Sequence, residues 1–243
     1  MKALVFVHGY LGGSPQWANQ AEVFSPHFEV VTPDLPGFGL NNDMEPQQTI
    51  HGFAAYVLDE FERAGIDYFH LVGHSMGGMI VQEMVAMAPE RIDRLVLYGT
   101  GPVGLMPGRF ETIDESRRRL TEDGVETTGR RIAATWFLQG EQAARYPVCA
   151  DLAVMASPQA AQAGLTAMEA WSGVSALSRI ATPTLVLWGD GDRAYQWSQP
   201  QQLWQQIAGA RLAVIPGCSH AVHLEKPHLF NSVLADFLEI KLG

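Results

Sequence analysis

The sequence predicts an α/β protein: a doubly wound, mostly parallel sheet with a helical insertion between two of its strands. Three observations carry this. Six short apolar runs recur along the 243 residues, each continuous rather than alternating. Most of the intervals between them contain a segment with helical spacing. One interval, 99–183, is far longer than a crossover needs, so it must carry structure of its own.

The runs are Ala3–Val7, Glu29–Thr32, Phe69–Gly73, Leu95–Tyr98, Thr184–Trp188 and Leu212–Ile215. Each is four or five residues long, rich in Val and Leu, and closed by Gly, Pro or polar residues. Continuous apolarity over so short a span suits strands covered on both faces, as in a parallel sheet. Met79–Ala88 is apolar nearly all round, predicting a central, buried helix that Pro89 ends. After Pro227, which a first helical turn tolerates, Leu229, Phe230, Val233, Leu234, Phe237 and Leu238 mark one helix face. Strands alternating with helices imply right-handed βαβ units. Within the long interval an Ala-rich stretch and the segments Asp114–Leu120, Arg130–Leu138 and Pro158–Trp171 read as helices. Such an insertion would sit over the carboxyl edge of the sheet, where open α/β sheets bind ligands. The expected organisation is therefore a core of residues 1–100 and 181–243, with residues 101–180 as a helical lid.

Composition narrows the function. A net charge of −10 argues against a nucleic-acid binder, which needs a basic stripe to meet phosphates. The two cysteines, Cys149 and Cys218, make neither a disulfide framework nor a CxxC site. No apolar run approaches the ~18 residues of a membrane helix, and the N-terminal run is too short for a signal-peptide core. The expectation is a cytoplasmic globular protein with no membrane partner. No His or carboxylate cluster rises to a metal site, and no cofactor is expected.

Chemistry concentrates at Gly73-His74-Ser75-Met76-Gly77-Gly78, a G-x-S-x-G placed after a predicted strand and before a predicted helix. A serine on so tight a turn takes strained dihedrals, and its neighbours must be small. The following helix points its free N–H groups at the site, favouring developing negative charge. A serine hydroxyl is a weak nucleophile and needs a base and an orienter. Two histidines, His220 and His223, follow the last run, and two acids, Asp190 and Asp192, follow the fifth. All four sit in loops that open onto the same edge as Ser75.

These stretches resemble the α/β-hydrolase superfamily, in its compact, lid-bearing esterase and lactonase branch. The matching segments are His8-Gly9-Tyr10 with Gly12-Gly13, Asp34 to Gly39, Gly73 to Gly78, Trp188 to Asp192, and Gly217 to Pro227, in the family's order across the whole chain. The resemblance implies Ser75 as nucleophile, His220 as base and Asp192 as its acidic partner. The family's W-G-x-x-D selects Asp192 over Asp190, and its G-x-x-H before a later E-x-P selects His220 over His223. It further implies an oxyanion hole from the backbone N–H groups of Tyr10 and Met76. The chain differs by starting at what is normally the third strand, so a shorter sheet is expected. Asp192 is followed by Arg193-Ala194-Tyr195, where many relatives carry an apolar residue near the pocket.

His74, Trp136 and Phe137 are candidate substrate contacts, each with core packing as its alternative. His8 reads as a structural link near the oxyanion turn, and His27, His51, His70 and His228 as surface or helix-end residues. Arg117–Arg119 with Arg130–Arg131 could meet an anionic substrate, but Asp114, Glu115, Glu122 and Asp123 suit a solvated helix face better. Met79, Met84 and Met87 fill core. The expected activity is a serine hydrolase cleaving a small carboxylic ester or lactone with water, through an acyl-enzyme. Competing readings are hydrolysis of a carbon–carbon bond in a β-diketone-like ring-cleavage product, thioester hydrolysis, and a binding module on the same fold. Relatives that break carbon–carbon bonds commonly carry Asn where this chain has His74.

Overall fold

The computed structural model describes residues 1–242. Six strands form one sheet: β1 (Ala3–Val7), β2 (Glu29–Val31), β3 (Phe69–His74), β4 (Ile92–Tyr98), β5 (Thr184–Gly189) and β6 (Arg211–Ile215). Their order is β2-β1-β3-β4-β5-β6, and every pairing is parallel. The sheet is thus wholly parallel where the sequence indicated mostly so. Continuous apolarity has its explanation in the two cores. Ala3, Val5 and Val7 of β1 face one, while Leu4 and Phe6 face the other. A strand buried on both sides has no solvent face to make polar.

Helices α1 (Ala18–Phe24), α2 (Ile50–Ala64) and α3 (Met76–Met87) connect the first four strands. Thr49 caps α2 by accepting from the Gly52 N–H, and Gly65, at φ 70°, ends it in the left-handed region. Helix α3 is buried on most sides, and Pro89 follows its end. Between β4 and β5 run α4 (Ile113–Glu122), α5 (Gly124–Ala134), α6 (Tyr146–Met155) and α7 (Pro158–Glu169). After β5 come α8 (Ser198–Gln206), the short α9 (Val222–Glu225) and α10 (Pro227–Phe237). Helices α2 and α3 bury apolar residues in the first core; Phe24 of α1 and Phe230, Leu234 and Phe237 of α10 do so in the second. That is the doubly wound arrangement.

The segment Arg130–Leu138 departs from expectation, because α5 stops at Ala134. Tertiary bonds override the helical pattern there. The Trp136 carbonyl accepts from the Ala221 N–H at 2.9 Å, and the Leu138 N–H donates to Glu225 at 2.9 Å. Helix α6, opened by Pro147, was hidden in the Ala-rich stretch. Cys149 and Cys218 are both buried and unpaired, and burial pushes both thiols up to about 12. No helix among the described residues is long and apolar enough to cross a membrane.

The strand order reverses direction between β1 and β3, so the loops after these two strands lie side by side. Such a switch point is where open α/β sheets place ligands. Gly9, after β1, and Ser75, after β3, meet there: a Cβ on Gly9 would fall 2.7 Å from that of Ser75.

Candidate active site

Ser75 is the turn between β3 and α3, with φ 59° and ψ −121°. A non-glycine residue held there stores strain of order 1–3 kcal/mol, which the surroundings must offset. Three bonds do so. The Ser75 N–H donates to the Tyr98 carbonyl at 3.0 Å; its own carbonyl accepts from the Gly78 N–H and the Thr100 hydroxyl, both at 2.8 Å. The flanking glycines are sterically required. A Cβ on Gly73 would lie 2.4 Å from the Gly77 carbonyl oxygen, and one on Gly77 would lie 2.4 Å from that of Val7.

Asp192 and His220, on the loops after β5 and β6, are 5% and 1% exposed. Asp192 Oδ2 lies 2.8 Å from His220 Nδ1. The other oxygen, Oδ1, accepts from the N–H groups of Ala194 at 2.7 Å and Tyr195 at 3.0 Å. A carboxylate only accepts, so Nδ1 must carry the imidazole proton, and Nε2 is the basic nitrogen. Ser75 and His220 line one cavity. Asp190 does different work, accepting from the Gly217 N–H at 2.8 Å to brace the loop after β6. His223 is core: its ring packs against Trp17 with centroids 4.4 Å apart, and its Nδ1 lies 3.0 Å from the Tyr98 hydroxyl.

The Met76 N–H begins α3, and the Tyr10 N–H follows Gly9; neither has an acceptor among the described residues. His8 holds the Tyr10 turn. Its Nδ1 lies 2.8 Å from the Gly9 carbonyl and its Nε2 accepts from the Leu35 N–H at 3.0 Å, so the ring bridges the loops after β1 and β2. The Tyr10 hydroxyl donates to the Ala161 carbonyl of α7 at 3.0 Å.

The cavity over Ser75 is small, about 20 Å³, room for little more than one water. Tyr10, Met106, Arg109, Phe110, Trp136 and Tyr195 are among its walls. Trp136 therefore lies where the sequence placed it as a candidate contact, its ring 6.2 Å from that of His220. Phe137 and His74 do not line this cavity. Phe137 is buried against Tyr146 of α6. His74 turns away: its Nε2 donates to the His220 carbonyl at 3.1 Å, and its ring stacks on Tyr98 at 4.5 Å. Both belong to the packing alternative rather than to this wall.

Sequence reasoning missed the support behind His220. The Tyr98 hydroxyl donates to the His220 carbonyl at 2.9 Å and accepts from the His223 N–H at 3.2 Å. Gln16 lies between His74 and His223. Arg109 and Tyr195 also escape the sequence reading, although Tyr195 lies in the stretch after Asp192 that departs from the family's pattern. The arginine run is balanced as expected. Arg117 pairs with Asp114 and Glu169, Arg118 with Glu115 and Glu122, and Arg119 with Glu115.

Burial pushes the buried histidines down, including His70, which lies buried in β3 rather than at the surface as its sequence suggested. His8 falls below its ordinary value, His74 well below it, His70 to about 4 and His223 to about 3. Their unfolded value is ~6.5, so below it the unfolded chain binds protons that the folded chain refuses. Stability from these groups is whole above pH 6.5 and falls as acid is added, down to about 4 for His70 and about 3 for His223. Each costs about 1.4 kcal/mol per pH unit in its window. Differential scanning calorimetry should show Tm falling between pH 6.5 and 5, above most of the carboxylate range. A flat Tm there would mean these rings are protonated in the fold.

The fold and this geometry define a doubly wound protein that raises one side chain on a strained turn above the carboxyl edge of its sheet. Residues 2–227 match the family model described as alpha/beta hydrolase fold, and the chain belongs to that family. It is an enzyme of the hydrolase class. Among its relatives, a 2-hydroxy-6-oxo-6-phenylhexa-2,4-dienoate hydrolase of Burkholderia cepacia is 28% identical, over 98% of this chain and 87% of that one. A pimeloyl-[acyl-carrier protein] methyl ester esterase of Photobacterium profundum is 26% identical, over 97% and 94%. The solved enol-lactonase of Burkholderia xenovorans superposes with a TM-score of 0.89 at 24% identity, over 98% and 91% of the two chains.

Proposed function

We propose that the protein hydrolyses a small carboxylic ester or lactone through an acyl-enzyme on Ser75. The observation that carries this is the satisfied Asp192–His220 pair, which leaves Nε2 basic in the cavity that also holds Ser75. In this reading the Ser75 hydroxyl oxygen attacks the carbonyl carbon while His220 Nε2 takes the proton. The tetrahedral oxyanion accepts from the N–H groups of Tyr10 and Met76, each worth about 2.7–4 kcal/mol at such a site. Collapse expels the alcohol, which leaves with the proton from His220. Water, deprotonated in turn by His220, then hydrolyses the acyl-serine. Asp192 holds the imidazole and stabilises its charged form.

Residues 101–180 act as a lid in this reading, since Met106, Arg109, Phe110 and Trp136 all come from that segment. A cavity of about 20 Å³ is too small for an ester, so side chains such as Met106 and Trp136 have to shift for entry. The acid-side loop and the oxyanion turn stay fixed by their own backbone bonds.

Carbon–carbon hydrolysis is the second reading, favoured by the likeness to the dienoate hydrolases named among the relatives. The same test separates the two. An alkyl p-nitrophenyl phosphonate should label Ser75 alone, located by peptide mass spectrometry. p-Nitrophenyl esters of rising acyl length should then turn over repeatedly, with an optimum that sizes the pocket. Labelling of Ser75 with no ester turnover, together with decay of a 2-hydroxy-6-oxo-dienoate, would replace the first reading by the second.

A further inference from the structure

The wall of the Ser75 cavity carries two polar groups that the proposed ester chemistry does not use, Arg109 and Tyr195. Among the described residues, only Nη1 of Arg109 has acceptors: the Glu111 carbonyl and the Ser116 hydroxyl at 2.9 Å, and the Thr112 carbonyl at 3.5 Å. No described carboxylate lies within ion-pair distance of its guanidinium. The neighbouring acid, Glu111, is engaged elsewhere, bonded to Arg131 at 2.8 Å and lying 3.6 Å from Arg119. Arg117, Arg118, Arg119, Arg130 and Arg131 have carboxylate partners, whereas Arg109, Arg145 and Arg179 of the same segment have none among the described residues. Of these three only Arg109 lines the cavity, its guanidinium 4.2 Å from the centroid of the Phe110 ring. A half-buried guanidinium without a counter-ion is costly unless a ligand supplies the charge.

Tyr195 is 1% exposed, and its ring stacks on His220 at 5.6 Å and 12°. Its hydroxyl is buried beside the side chains of Ser75 and Thr100 without a well-formed hydrogen bond to either, so it is placed to donate to a ligand. Burial raises it above its ordinary value, which keeps its proton on.

The two groups are held as a unit. The Phe110 N–H donates to the Arg193 carbonyl at 3.0 Å, and the Gln196 amide donates to the Gly108 carbonyl at 3.2 Å. Residues 108–110 of the lid are thus laced to residues 193–196, the loop that Asp192 anchors. The Trp188 indole N–H, donating to the Tyr195 carbonyl at 2.9 Å, fixes the tyrosine from behind.

We infer that Arg109 and Tyr195 form an anion subsite, and that the substrate is a short ester or lactone whose acyl part carries a carboxylate a few bonds from the reacting carbonyl. The free Nε and Nη2 edge of a guanidinium matches the two oxygens of a carboxylate. Tyr195 adds a neutral donor on the Ser75 side. Arg109, Tyr195 and Ser75 line one cavity, which sets that carboxylate close to the nucleophile. This inference rests on the hydrolase reading above and deepens it.

The test compares the mono-p-nitrophenyl ester of glutarate with p-nitrophenyl pentanoate, the same chain ending in methyl, with non-enzymatic release subtracted. In the wild type, kcat/KM should favour the half-ester by tenfold or more, chiefly through KM, with the advantage shrinking as salt is added. Arg109→Gln should bring the ratio close to one. Tyr195→Phe should lower it several-fold with little change in Tm, because the hydroxyl it removes has no well-formed bond to lose. A wild-type ratio near one, or an Arg109→Gln protein that keeps the wild-type ratio, overturns the subsite. If neither ester is cleaved, the ester reading fails, and the subsite is judged by calorimetric titration with glutarate. Binding to the wild type that Arg109→Gln abolishes then supports it. Equal binding to both proteins, or none to either, overturns it.

Discussion

Ser75→Ala is expected to cut turnover of p-nitrophenyl esters about a million-fold while leaving the fold intact. Removing the nucleophile of a serine hydrolase costs on that order, because the rest of the machinery works only through it. The prediction is sharp because nothing structural depends on the hydroxyl. All three bonds that pin the turn use the Ser75 backbone, and none uses its side chain. Alanine at φ 59° has the same Cβ and bears the same strain, so Tm should move little. Steady-state release of p-nitrophenol measures the loss, and calorimetry checks the fold. Residual activity above about one part in a thousand would place the nucleophile elsewhere. Loss of activity together with a large fall in Tm would mean the turn, not the hydroxyl, had been removed.

The fold was legible because burial on both faces writes itself into the sequence as unbroken apolar runs. All six runs became strands, with ends within a few residues. Met79–Ala88 became most of α3 for the same reason: a helix packed on most sides has no polar face to show. The site's backbone positions were legible through steric need, since Gly73 and Gly77 sit where a Cβ would strike a carbonyl. Long-range contacts left no such trace. Trp136 leaves the helical pattern because a carbonyl is captured by Ala221, more than eighty residues away, and no local spacing records that. His74 and His223 resemble pocket histidines in sequence, yet Tyr98, Trp17 and Gln16 draw them into the core behind His220. Arg109 was invisible beside the denser arginine run. What separates it is the lack of a carboxylate partner, a property of three-dimensional neighbours rather than of composition.

The buried cluster behind His220 also explains why that ring is held so firmly. Its carbonyl is gripped by both Tyr98 and His74, while its Nδ1 meets Asp192. Backbone and side chain are thus fixed from opposite sides. In the proposed mechanism, pre-positioning of this kind would spare the reorganisation that a loose base needs.

Asp192→Asn should lower kcat by about ten-thousand-fold, the scale found when the equivalent change forces a wrong imidazole tautomer in a serine hydrolase. The contacts here dictate that tautomer. Oδ1 of Asp192 accepts from two backbone N–H groups, and Oδ2 faces His220 Nδ1. An asparagine can keep its oxygen against the two N–H donors, and then its NH2 group points at Nδ1. That nitrogen must become an acceptor, so the proton moves to Nε2, the atom that has to receive the proton of Ser75. The flipped amide is worse, since its NH2 would confront two donors while buried. In the favoured orientation the histidine cannot act as base, although its ring stays in place. Two readouts separate this from unfolding. Stoichiometric phosphonate labelling of Ser75 should slow in step with kcat, while KM for p-nitrophenyl esters changes by less than a few-fold. Asp190→Asn, by contrast, keeps an oxygen for the Gly217 N–H and should leave kcat within a few-fold of wild type. If the two substitutions had equal effects, the acid would have been misassigned and Asp190 would have to approach the imidazole in the working enzyme.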